Sequence, residues 1–105
     1  MSRSVNINLE LLEALVKLKP QPRSQLLRIA DKSLVTAICE CALNILNGNI
    51  PVTPEHKDRL FKERSYIRSL AKSKVSWKSK RTQILRKIEV IPIIIEPVIQ
   101  ALKNE

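Results

Sequence analysis

From Ser33 to Gly48 the chain reads Ser-Leu-Val-Thr-Ala-Ile-Cys-Glu-Cys-Ala-Leu-Asn-Ile-Leu-Asn-Gly, with apolar positions recurring at the helical period. Leu34, Val35, Ile38, Ala42, Ile45 and Leu46 fall on one face, and Ala37, Cys41 and the flank of Leu43 extend it sideways. Only Thr36, Glu40 and Asn44 remain as a narrow polar strip. A helix apolar over most of its circumference is packed by neighbours on several sides, so residues 33–47 are expected at the centre of a helical bundle. Ser33 can accept the amide bonds left open at the start, and Gly48 can take the left-handed conformation that closes the end.

The same period predicts further helices at 7–19, 22–30 and 54–72. In the first, Leu9, Leu12, Leu15 and Val16 share a face flanked by Leu11 and Leu18, and Asn8 is placed to cap it. Glu10 and Glu13 stand early and Lys17 and Lys19 late, an order that suits the helix dipole. Residues 1–6 read as a loose terminus. Pro20 is expected to end this helix and Pro22 to open the next, which carries Leu26, Leu27 and Ile29. Asp31 or Ser33 then caps the central helix.

After Gly48, Pro51 and Pro54 interrupt regular hydrogen bonding, and Ile50 and Val52 are expected to tuck under the bundle. Thr53-Pro54-Glu55 combines a capping hydroxyl, a proline at the first helical position and an acid in the first turn. The helix it opens has a thin stripe of Leu60, Ile67 and Ala71 with Phe61 and Leu70 alongside. Residues 72–80 read as a basic, serine-rich loop, followed by a short helix from Ser79 or Lys80 to Lys87 that holds Ile84 and Leu85. The tail, 88–105, has Ile or Val at 88, 90, 91, 93, 94, 95, 98 and 99. A transmembrane helix needs about 20 apolar residues, and this run is shorter, carries Glu89 and Glu96, and contains Pro92 and Pro97. It is expected as an extended piece and then a short helix closing the bundle.

Composition narrows the class. At 105 residues the chain is one domain with a modest core. Phe61, Tyr66 and Trp77 are the only aromatics, so the core is aliphatic. With one glycine and no alternating strand pattern, an all-β fold is disfavoured. The expected fold is all-α, a bundle of four to six helices in a single domain, 1–105.

Charge distribution carries the functional signal. The net charge is +9. Between Lys57 and Lys87 twelve Lys or Arg stand against two acids, Asp58 and Glu63, while the remainder holds seven basic and eight acidic groups. All the excess therefore lies in under a third of the chain. Each Lys or Arg that neutralises a phosphate releases condensed counterions, so a dense basic helix and loop bind nucleic acid without reading its sequence. The expected contact set is Arg59, Lys62, Arg68, Lys72, Lys74, Lys78, Lys80 and Arg81, the first four along the outer face of the 54–72 helix. Trp77, between lysines, either stacks on a base or plugs the bundle. DNA is favoured over RNA. An acidic protein or an anionic lipid surface satisfies the same electrostatics, and self-association or a membrane-surface contact through residues 88–105 are the alternative uses of the tail.

Other chemistry is sparse. Cys39 and Cys41 point about 200° apart on one helix and cannot bridge; with His56 as the single histidine no usual zinc set is present. They read as small buried apolar residues of a reducing compartment. One glycine excludes a glycine-rich phosphate loop. His56 reads as a surface residue, and no catalytic constellation or cofactor site is expected. A helix-turn-helix reading of Gln25–Ala30 with the central helix fails, because that helix offers almost no polar face to base edges. The first fifteen residues show no signal peptide, and an intracellular, nuclear or virion location is expected.

From Ile29 to Lys87 the chain resembles a group of small basic proteins of Polinton or adintovirus-like mobile elements in invertebrate genomes. The matching residues are Ala30-Asp31-Lys32-Ser33-Leu34-Val35, Ile38-Cys39-Glu40-Cys41-Ala42-Leu43-Asn44, Gly48-Asn49-Ile50-Pro51-Val52-Thr53, Leu60, Arg68-Ser69-Leu70-Ala71-Lys72 and the Lys78–Lys87 run. The relatives often continue into a tail like that of adenovirus core peptides that condense packaged DNA; here Ile88-Glu89-Val90-Ile91-Pro92 keeps only its apolar and proline character. The resemblance is compatible with nucleic-acid condensation in a virus-like element.

Overall fold

A computed structural model of the chain describes residues 3–72 and 74–104. Expectations for Met1, Ser2, Ser73 and Glu105 lie outside the described residues. Eight helices follow one another among them: α1 (Arg3–Ile7), α2 (Leu9–Lys17), α3 (Pro20–Arg28), α4 (Lys32–Leu46), α5 (Pro54–Lys62), α6 (Arg64–Ala71), α7 (Trp77–Arg86) and α8 (Ile91–Lys103). The class is the expected one, with more helices than the four to six anticipated, because two segments that read as loop or continuous helix are divided differently.

α4 is the central helix, in contact with α1, α2, α6, α7 and α8. Leu34, Val35, Ala37, Ile38, Cys39, Cys41 and Ala42 are buried along it, and each large aliphatic contributes about 1.5–3 kcal/mol on leaving water. Asp31, rather than Ser33, is its cap: the Asp31 carboxylate accepts from the Leu34 amide at 3.0 Å. Ser33 instead accepts from Asn8 Nδ2 at 2.8 Å, and the same amide donates to the Ser4 carbonyl at 2.8 Å. Asn8 is thus a buried strut between α1 and α4 and makes no side-chain cap on α2. Its contacts explain why residues 3–6 are helical rather than loose: α1 sits on α4 with Val5 fully buried. Gly48 closes α4 at φ +71°, as its position required. Leu46 departs from expectation, since it faces an open groove beside Phe61 and is 41% exposed.

Pro20 opens α3 rather than merely ending α2. The 54–72 segment is two helices, broken at Glu63 (φ −105°, ψ 17°) without a glycine or proline. The cause is tertiary: α5 packs on α8 while α6 packs on α4 and α7. Glu63 itself is held by Lys87 at 2.6 Å, and Arg64 donates to the Phe61 carbonyl that the break exposes. α5 keeps its expected cap, with the His56 amide donating to Thr53 Oγ1 at 3.3 Å.

The tail is one helix of 13 residues, not an extended piece plus a short helix. Pro92 sits in its first turn and Pro97 inside it, where the missing amide costs about 3 kcal/mol. Ile91, Ile94, Ile95, Val98 and Ile99 are buried, and five aliphatics at about 1.5–3 kcal/mol each outweigh that cost. Their partners are α2, α4 and α5. Among the described residues no helix is long and apolar enough to cross a membrane.

Candidate nucleic-acid interface

The basic residues stand on three consecutive helices and the turn between two of them. Arg59 and Lys62 lie in the last turn of α5 and Arg68 in the last turn of α6, all exposed. Lys72 caps the end of α6 and Lys74 follows it, both exposed. The break at Glu63 corrects the expectation that Arg59, Lys62, Arg68 and Lys72 share one helix face. Positive charge at a helix C-terminus complements the dipole, so this part of the set is at ease in the free protein.

The rest of the set is not. α7 begins at Trp77, earlier than expected, because Ser76 accepts from the Ser79 amide at 3.2 Å. Lys78 and Lys80 then occupy a first turn that holds no acid, where the helix dipole is already positive. Like charges add there, and an anion relieves them. Lys78 is exposed and Lys80 half-buried. Arg81 is half-buried too: its Nη1 donates to the Ala30 carbonyl at 3.1 Å and its guanidinium lies 5.1 Å from the Trp77 ring centroid. Arg81 therefore has a structural task besides any contact it makes.

None of these eight residues is paired with a carboxylate among the described residues. The ion pairs there are Lys87–Glu63 at 2.6 Å and Lys103–Glu13 at 3.8 Å, and the His56 ring approaches the Glu96 carboxylate at 3.8 Å. Lys87 also lies 5.3 Å from the Tyr66 ring, whose hydroxyl donates to the Gln83 carbonyl and whose pKa burial raises. It joins α6 to α7 and is occupied by that role. His56, expected at the surface, is half-buried between Thr53 Oγ1 at 3.2 Å and the Glu96 carboxylate. No sequence spacing announced the second contact, which spans α5 and α8.

Trp77 is neither fully buried nor free. It walls a cleft of about 440 Å³ between α4, the end of α6 and α7. Val35, Leu43, Ala71 and Val75 make its apolar sides, and Lys32, Thr36, Glu40 and Lys80 bring polar groups into it. Glu40 Oε2 is shielded from solvent and has no hydrogen-bond partner among the described residues. Cys39 also lines the cleft; burial pushes its thiol up to about 11, which disfavours the reactive thiolate at neutral pH. Thr36 and Glu40 read in sequence as a solvated strip, and Lys32 lay outside the basic segment. Only the packing of α7 over α4 joins them to Trp77.

No family model, no curated protein and no solved structure matches the chain.

Proposed function

We propose that the chain is a non-enzymatic nucleic-acid-binding protein that grips phosphates without reading sequence, DNA being the preferred partner. The observation that carries this reading is the concentration of twelve basic residues against two acids between Lys57 and Lys87, with the eight contact residues left unpaired by carboxylates among the described residues. None of them bridges an acid among the described residues, and among them Arg81 alone makes a side-chain hydrogen bond to a distant part of the fold. The resemblance to proteins of virus-like mobile elements agrees with this reading and extends it to condensation of DNA in a nucleus or virion.

Self-association through the tail is less supported. The isoleucines of α8 lie in the core, which leaves Gln100, Lys103 and Asn104 on its exposed side.

Fluorescence anisotropy with duplex DNA, single-stranded DNA and RNA across a salt series tests the proposal. Six to eight neutralised phosphates give a slope of log affinity against log salt of roughly −5 to −7 on duplex DNA. Replacing Lys78, Lys80 and Arg81 by alanine weakens binding equally on unrelated sequences. An affinity that hardly changes between low and moderate salt overturns the reading.

A further inference from the structure

The cleft beside Trp77 combines an aromatic wall, two cations and a carboxylate. Each has a distinct chemical demand. An indole wall favours a flat π-system, on which stacking is sequence-tolerant. Lys32 at the start of α4 and Lys80 in α7 flank it and favour an anion. Glu40 Oε2, shielded and without a hydrogen-bond partner among the described residues, demands a donor, since an unsatisfied buried acceptor is costly. The terminal torsion of a glutamate is soft, so the carboxylate turns into the cleft without disturbing α4. A simple anion satisfies the lysines and leaves Glu40 repelled. An amine satisfies Glu40 but meets two lysines. A nucleotide whose base carries an exocyclic amine meets all three demands at once.

We infer that this cleft captures an unpaired, amino-bearing base of a single strand, stacking it on Trp77, accepting its amino group at Glu40 and holding the adjoining phosphates with Lys32 and Lys80. The inference rests on the phosphate-binding reading above and adds base selectivity to it. The cleft volume, about 440 Å³, is within the range of small-molecule sites. Arg81, tethered to the Ala30 carbonyl, keeps the indole in place. Lys78, exposed and 5.9 Å from the ring centroid, lies outside the lining of the cleft. Bases in a duplex are paired and stacked, so the site selects single strands, looped ends or melted segments.

The test compares oligo(dC) and oligo(dT) of equal length, both pyrimidines, of which only the first carries an exocyclic amine. Trp77 is the single tryptophan, so its emission reports the site in the full chain. Oligo(dC) is expected to quench it and to bind about tenfold more tightly than oligo(dT), the worth of one hydrogen bond to a charged acceptor. Polyphosphate is expected to bind without quenching. Glu40→Leu, which removes the acceptor, makes the two oligonucleotides equal while circular dichroism and thermal unfolding show an intact fold. Equal affinity and equal emission for both oligonucleotides in the unaltered protein, with a steep salt dependence retained, overturn the cleft and leave phosphate binding standing. Failure of both oligonucleotides to bind while duplex DNA still binds overturns the cleft alone, and failure of duplex DNA as well overturns both readings.

Discussion

The Arg23 guanidinium donates through Nη1 to the Ile88 carbonyl at 3.1 Å, across 65 residues of chain. Its other nitrogens reach the Leu15 carbonyl at 2.8 Å and the Leu18 carbonyl at 2.6 Å. Arg23 is buried, and desolvation lowers its pKa from the ordinary value. One side chain thus satisfies the end of α2 and the turn that leads into α8, two helices that pack on each other.

Arg23→Lys keeps the charge but has no planar fork with which to reach three carbonyls. It is expected to lower stability by about 2–4 kcal/mol, the cost of buried acceptors left without a charged donor. Urea unfolding followed by circular dichroism measures it. A loss within 0.5 kcal/mol, the range roughly typical of surface changes, shows that water replaces the clamp.

Lys74 and Lys78 are exposed and differ from Arg81 in having, among the described residues, no side-chain hydrogen bond to another part of the fold. Lys74→Ala and Lys78→Ala are each expected to shallow the salt slope on duplex DNA by about 0.9 and to leave the unfolding midpoint in place. Arg81→Ala is expected to shallow it similarly and also to cost about 1–2 kcal/mol of stability, through the lost bond to Ala30 and the lost contact with Trp77. Paired binding and unfolding curves separate the two roles; a silent Arg81→Ala in unfolding contradicts the structural one.

Gly48 lies at φ +71°, and a Cβ there would meet nothing within 4 Å. Any penalty for a side chain is therefore backbone strain alone. Gly48→Ala is expected to cost about 1 kcal/mol, and Gly48→Asn less, because asparagine tolerates the left-handed region. If differential scanning calorimetry finds alanine as stable as glycine, the closure of α4 does not depend on that conformation.

Burial pushes the Cys39 thiol up to about 11 and the Cys41 thiol up to about 12 from an ordinary 9.0. Above pH 9 the unfolded chain has released these protons and the folded chain has kept them, so folding stability falls as pH rises. Between pH 8 and pH 10 the loss is expected to be roughly 1–3 kcal/mol. Denaturant unfolding at the two pH values checks it, and the Cys39→Ala, Cys41→Ala double variant should flatten the dependence. The buried Tyr66 hydroxyl, also raised, adds the same sign at higher pH.

Much of the fold was legible because local rules and packing agreed. The run from Leu34 to Leu46 is apolar over most of its circumference, which calls for neighbours on several sides, and α4 differs from its expected span by one residue at each end. Thr53-Pro54-Glu55 and Gly48 acted through backbone conformation, which depends on immediate neighbours. The misread segments are those in which a distant contact overrode local preference. Glu63 breaks a helix without a breaker because Lys87 and the diverging packing of α5 and α6 hold it. Pro97 sits within α8 because burial of the isoleucines outweighs a missing amide.

The sequence alone determined an all-helical class, the central helix and its closure, and the crowding of positive charge between Lys57 and Lys87, since each follows from residue order along the chain. Tertiary structure decided that Arg23 binds carbonyls from both ends of the molecule, that Arg81 is shared between fold and surface, and that Lys32, Glu40, Trp77 and Lys80 line one cleft. Residues as far apart as 32 and 80 become neighbours only when helices pack, and no periodicity or spacing along the chain encodes which side chains that packing brings together.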